Sequence, residues 1–234
     1  MASSRPTARQ QQQQHLSDAE ISRQKRAAAL AAAELIEDGM RVGLGTGSTV
    51  AYLLPAIAAR GCEGLRCVAT SPATESAARA LGLTVEALDE VGELDIAIDG
   101  ADQIDERGWL IKGGGGAHTR EKIVAAAARR FVVIASANKT VLELEPPVPL
   151  ELVAFGVQRT LTSLDPARLR GIEPSPDGGL IADYLGPVGA PKELAARLSA
   201  APGVVDHGLF EPELVSLILI AGDSGLERRA GAKQ

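Results

Sequence analysis

From Ser17 onward the chain alternates two patterns: Ala- and Leu-rich stretches with apolar residues at helical spacing, and short runs of branched apolar residues,. Ser17 and Glu20 have capping-box spacing, so a helix is predicted from Ser17 to Asp38, stopped by Gly39,. Arg41 to Leu44 reads as a buried strand that runs into a glycine-rich turn, and a helix is predicted over Thr49 to Arg60, ended by Gly61,. The alternation continues with a strand at Leu65–Ala69, a helix at Pro72–Leu81, and strands at Thr84–Ala87 and Asp95–Ile98. After the glycines at Gly113–Gly116 come a helix through Arg130 and a strand at Phe131–Ala135. Strands alternating with helices of this length predict an α/β fold: a Rossmann-like, open, mostly parallel sheet with helices on both faces.

The pattern changes after Pro146-Pro147. A strand at Pro149–Phe155, a helix at Val157–Arg170 that contains Pro166, a strand at Leu180–Tyr184 and a helix at Pro191–Ala200 suit a smaller α+β subdomain,. A last strand, Leu214–Ile220, is placed to rejoin the large sheet. The expected organisation is therefore a disordered tail over 1–16, a main domain over 17–147, a subdomain over 148–209, and a return with a C-terminal tail over 210–234. No internal repeat is visible.

Composition narrows the function classes. Hydrophobic residues make up 45% of the 234 residues and aromatic ones only 3%, so the core must be built from Ala, Val, Leu and Ile. A net charge of -6 argues against a nucleic-acid or anionic-membrane surface, though a few local cations and backbone N–H groups still suffice for a phosphate,. The most apolar run, Leu214–Ala221, is too short to cross a bilayer, and the N-terminus has no apolar signal core,. Cys62 and Cys67 complete neither a zinc quartet nor a disulfide framework, which fits a reducing cytoplasm,.

Three segments follow predicted strands, and ligands of open parallel sheets bind beyond the carboxyl ends of the strands. In Gly45-Thr46-Gly47-Ser48-Thr49, backbone N–H groups and hydroxyls suit phosphate or sugar oxygens, or else form an ordinary capped turn,. It matches neither G-x-G-x-x-G nor a P-loop. In Asp99-Gly100-Ala101-Asp102 the carboxylates can meet sugar hydroxyls, shape a turn, or hold a cation with Asp105,. Lys112-Gly113-Gly114-Gly115-Gly116 leads into a helix that carries Arg120, Glu121 and Lys122. For Glu121, the helix N-terminus lowers the pKa and burial raises it.

Taken in order and spacing, these segments resemble the three signature loops of the type A ribose-5-phosphate isomerase family. The resemblance continues from Lys25 in the first helix to Pro202-Gly203-Val204-Val205 and Gly208-Leu209-Phe210. It implies an aldose–ketose isomerase of the non-oxidative pentose phosphate pathway, interconverting D-ribose 5-phosphate and D-ribulose 5-phosphate through an enediolate. It also implies a cytoplasmic homodimer or homotetramer with no metal and no cofactor. Glu121 would be the base, Lys112 the electrophile beside the enediolate oxygen, and Asp99 a ligand of sugar hydroxyls that assists ring opening. Substrate contacts would come from Thr46, Gly47, Ser48, Thr49, Gly100, Ala101, Asp102, Gly113, Gly114, Gly115, Lys139 and Lys25.

The chain departs from the family pattern at Gln103, Gly116, His118 and Ser136, none of which is assigned to chemistry. Other readings are a sugar-phosphate sensor, a catalytically silent relative, and a CoA-transferase-like or dinucleotide-binding enzyme. The sensor requires a DNA-binding module, and the segment before Ser17 is too short and glutamine-rich to supply one.

Overall fold

The computed structural model describes residues 16–233, so the polar tail expected over 1–16 lies, except for Leu16, outside the described residues. Helix α1 (Asp18–Ala33) begins with the capping box: Glu20 N–H donates to Ser17 Oγ at 3.3 Å and Ser17 N–H to the Glu20 carboxylate at 2.8 Å,. It ends before the predicted Asp38. Leu35 and Ile36 N–H groups bond to Ala32 and Ala33 in a tightened last turn, which brings Ile36 into the core,.

Strand β1 (Arg41–Leu44), helix α2 (Val50–Arg60), strand β2 (Arg66–Ala69), helix α3 (Pro72–Ala80) and strand β3 (Leu94–Gly100) lie close to their predicted positions. The strand expected at Thr84–Ala87 is reduced to a single parallel bridge between Cys67 and Val85, because the chain turns at once into helix α4 (Leu88–Val91). Short strands β4 (Gln103–Ile104) and β5 (Leu110–Ile111) precede helix α5 (His118–Ala127) and strand β6 (Ala128–Ser136). Helix α5 stops before the predicted Arg130, since Ala128 and Arg130 already pair with Leu94 and Ile96 on β3.

Then come β7 (Val148–Leu152), α6 (Val157–Ser163), β8 (Ala167–Leu169), β9 (Leu180–Tyr184), α7 (Pro191–Ser199), β10 (Val204–His207) and β11 (Leu209–Phe210). The chain ends in β12 (Leu217–Gly222) and β13 (Gly225–Ala230). The helix predicted over Val157–Arg170 is therefore wrong in its second half: Pro166 cannot continue it, and the next residues pair with β9 instead,. Where a C-terminal tail was expected, β13 turns back at Gly225 and pairs antiparallel with all of β12.

The large sheet has six strands in the order β13-β12-β6-β3-β1-β2, parallel except for β13. Both of its faces are covered. Val132 and Ile134 of β6 pack with α1 and α2, whereas Phe131, Val133 and Ala135 face Val124 and Ala125 of α5. A four-stranded antiparallel sheet, β10-β7-β9-β8, and a small sheet, β11-β5-β4, complete the architecture. Helix α5 lies against β3 and β6 and also touches β7 and β10 of the antiparallel sheet. Strand order reverses between β1 and β3, so a crevice opens where those two strands end,.

Helix α1 meets the sheet through fully buried Ala28, Ala29 and Ala32, which leave no room for longer side chains,. Ala29→Leu is expected to destabilise the fold by about 1–3 kcal/mol through overpacking. Leu30, 51% exposed on the opposite face, should tolerate Leu30→Ala within about 0.5 kcal/mol,. Urea unfolding midpoints of the two variants check the contrast.

Candidate active site

The crevice collects the three segments. Strand β1 delivers Gly45–Thr49, β3 delivers Asp99–Asp102, and β5 with the start of α5 delivers Lys112–Glu121. Gly45 is required where it stands: a Cβ there would lie 1.9 Å from Asp99 Cγ. With no side chain in the way, the Asp99 carboxylate tucks beneath the first loop, where Oδ1 accepts the N–H of Thr46 at 3.1 Å and of Gly100 at 2.7 Å.

Lys112 is buried, and three acceptors surround its ammonium. It donates to Gly100 O at 2.6 Å and lies 2.9 Å from Asp99 Oδ2 and 3.1 Å from Glu121 Oε2. Its backbone is tied at 2.9 Å to Gly208 O, and its Nζ lies 5.4 Å from the Phe210 ring centre,. Two buried carboxylates thus share one buried cation, an arrangement with one excess negative charge.

Electrostatics follow from that count. Burial pushes the Glu121 carboxyl up to about 8, with Asp99 adding to the rise and Lys112 opposing it,. Of the two competing influences that the sequence offered for Glu121, burial prevails over the helix N-terminus. Burial also raises Asp99, against the pull of Lys112 and two backbone N–H groups. Burial disfavours the charge on Lys112, but its two carboxylates outweigh that and hold the ammonium above its ordinary value.

Thr46, Gly47, Ser48, Thr49, Gly100, Ala101, Asp102, Lys112, Gly113, Gly114, Gly115, Glu121 and Lys139 line one cleft. Lys25 comes from α1 and donates to Ser48 Oγ at 2.8 Å. Asp99 is buried under the loop and is not among the residues that line the cleft, whereas Asp102 lines it and its Oδ2 accepts the Gly114 N–H at 2.8 Å. Thr46 lines the cleft, and its hydroxyl joins a cluster with Thr70, Ser71 and Thr74, at 2.8, 2.8 and 3.1 Å. Asp105, considered as a third cation ligand, is committed to its own turn through the N–H groups of Arg107 and Trp109. Among the described residues, no group of three or more His, Cys, Asp or Glu side chains is placed to hold a metal ion.

The departures from the family pattern have local explanations. Gly116 takes φ +74°, a left-handed conformation that an alanine would resist,. His118 is fully buried, and burial, with Lys122 nearby, pushes its ring down to about 3, so it packs as a neutral group. Gln103 pairs with the backbone of Glu145, and Ser136 donates to Asn138 Oδ1 at 2.6 Å.

Sequence reasoning missed several supporting side chains. Thr70, Ser71 and Thr74 hold the first loop from the start of α3, where Ser71-Pro72 already has the form of a helix cap,. Glu151 on β7 accepts from Thr119 and, at 2.5 Å, from Ser175, which ties the start of α5 to the antiparallel sheet. Arg170 donates to the carbonyls of Gly113 and Gly114 at 2.9 and 3.0 Å.

The chain is similar to known proteins over most of its length. Residues 66–225 match the family model described as ribose 5-phosphate isomerase A (phosphoriboisomerase A). Ribose-5-phosphate isomerase A of Caulobacter vibrioides is 46% identical over 220 residues, which span 88% of this chain and 96% of that protein. The crystal structure of the Neisseria gonorrhoeae enzyme has a TM-score of 0.85 at 30% identity, covering 90% of this chain and 97% of that one. A D-ribose-5-phosphate isomerase solved with phospho-erythronic acid has a TM-score of 0.83 at 31% identity, covering 90% of this chain and 99% of that one. The chain belongs to the ribose 5-phosphate isomerase A family.

Proposed function

We propose that Glu121 carries the carbon-bound proton in this chain's reaction, the interconversion of D-ribose 5-phosphate and D-ribulose 5-phosphate. The chain is an aldose–ketose isomerase. The observation that carries the assignment is the buried Glu121 carboxylate 3.1 Å from Lys112, in a glycine-lined cleft. As carboxylate, Glu121 takes the proton from C2 of the open-chain aldose, and negative charge develops on the C1 oxygen. A hydroxyl proton passes from O2 to O1, and Glu121 returns its proton to C1, leaving a carbonyl at C2.

The Lys112 ammonium faces three acceptors, Gly100 O and the two carboxylates, while Glu121 is ionised. Protonation of Glu121 removes that partner's charge, so the ammonium turns its attraction on the enediolate. The negative charge moves a few ångströms and stays beside the same cation. Stabilisation of this kind needs no reorganisation at the moment of reaction. Asp99 keeps Lys112 charged and in place, Asp102 meets sugar hydroxyls, and Ser48, Thr49, Lys139 and Lys25 serve the phosphate end.

A cytoplasmic homo-oligomer belongs to the same proposal. Ile123, Val153 and Val205 are each about half exposed around one wide cleft, and Phe155, just beyond Val153, is 93% exposed. A second copy of the chain would cover these apolar side chains. No helix among the described residues is long and apolar enough to cross a membrane. Phe155→Glu should lower the sedimentation coefficient at micromolar concentration, and an unchanged value would remove this face from the interface.

Glu121→Gln is expected to lower kcat by roughly 10²–10⁴-fold while the affinity for phospho-erythronic acid changes little. Near-normal formation of ribulose 5-phosphate by that variant would remove Glu121 from its role.

The raised carboxyl makes two pH predictions. A base must be ionised, so kcat/KM should rise with pH and level off above about 8, and a profile flat from 6 to 9 would contradict the assignment,. For stability the direction is opposite. The folded chain holds a proton on Glu121 between the ordinary value of 4.5 and about 8, whereas the unfolded chain does not. Its contribution is thus lost as pH rises through that window. Glu121→Gln should melt higher than the parent above pH 8, with the difference shrinking towards pH 5.

A further inference from the structure

A run of four glycines has no side chains with which to hold its own shape, yet its N–H groups can join Lys112 in meeting the developing charge only if they are held in place. Two tethers lie within the crevice: Gly116 N–H bonds to Gly113 O at 3.0 Å, and Gly114 N–H bonds to Asp102 at 2.8 Å. The third comes from the antiparallel sheet. Arg170 follows β8, and its own N–H continues the pairing with β9 by donating to Ile181 O at 2.8 Å. Nε and Nη2 grip the Asp183 carboxylate of β9 at 2.8 and 2.6 Å, and Nη1 bridges Gly113 O and Gly114 O.

The planarity of the peptide makes this grip directional. In a trans peptide the C=O of one residue and the N–H of the next point in opposite directions. With the Gly113 and Gly114 carbonyls both drawn to one guanidinium nitrogen, the N–H groups of Gly114 and Gly115 face away from Arg170. Gly114 N–H indeed points to Asp102, a residue of the cleft wall. Gly115 also lines the cleft, and among the described residues its N–H has no protein partner.

We infer that Arg170, locked by Asp183, is a positioning residue that aims the Gly115 N–H at the enediolate oxygen. This rests on the isomerisation proposed above. The antiparallel sheet would thereby act on catalysis without touching substrate. A lysine at this position cannot grip a carboxylate through two nitrogens and bridge two carbonyls at once.

The test uses the full chain with Arg170→Lys and Arg170→Ala, measuring kcat, KM, melting by circular dichroism and binding of phospho-erythronic acid. In Arg170→Lys, kcat should fall on the order of tenfold or more, a loosened donor costing less than the 10²–10³-fold of a deleted one. KM should change little, and melting should remain cooperative. Free guanidinium ion at millimolar concentration should restore part of kcat in Arg170→Ala and none in Glu121→Gln. If Arg170→Ala does not fold, the kcat of Arg170→Lys decides alone. A folded Arg170→Lys with parental kcat, or one that loses only affinity, overturns the inference while an inactive Glu121→Gln leaves the isomerisation reading intact. An active Glu121→Gln overturns that reading first.

Discussion

One buried ammonium balances two buried carboxylates, and the rest of the site is arranged around that imbalance. An unpaired charge in such a place would be prohibitive, and removal of one partner from a buried ion pair typically costs about 3–5 kcal/mol. Asp99 is the fixed member, held by the amides of Thr46 and Gly100 as well as by Lys112. Glu121 is the movable one, since among the described residues Lys112 is its only charged partner within ion-pair distance. The same burial that makes Glu121 a poor acid in the resting state gives it the proton affinity that carbon chemistry demands,.

The topology explains why these groups meet. β1 and β3 are neighbours at the point where strand order reverses, so the loops that follow them open on one crevice. The third loop arrives from β5, outside the large sheet, and is pinned on both sides. Asp102 holds it from the parallel sheet and Arg170 from the antiparallel one. Helix α5 sits between the two sheets, with Glu121 in its first turn.

Much of this was legible in the sequence. The Ser17–Glu20 cap, the glycine after α2 and the branched strands of the large sheet each carry a local signal that tertiary context did not override. The loop residues were legible because glycine runs beside charged residues are hard to explain as surface. What escaped depended on contacts distant in the chain. Nothing near Arg170 in sequence marks it as a partner of Gly113, and the helix predicted there hid the strand that aims it. The depth of Asp99 was equally invisible, because it depends on a missing side chain on a different strand. Strand β13 was missed although Gly222-Asp223-Ser224-Gly225 is a fair turn, since its polar residues face solvent on a sheet edge.

The bare backbone at Gly45 sets a limit on redesign. A methyl group there would drive the Asp99 carboxylate off its amides and into the lysine, so the depth of the charge and the height of the loop form a single dimension. Reshaping the crevice therefore has to begin on the third loop, where a side chain added at Gly115 would meet nothing within 4 Å of its Cβ.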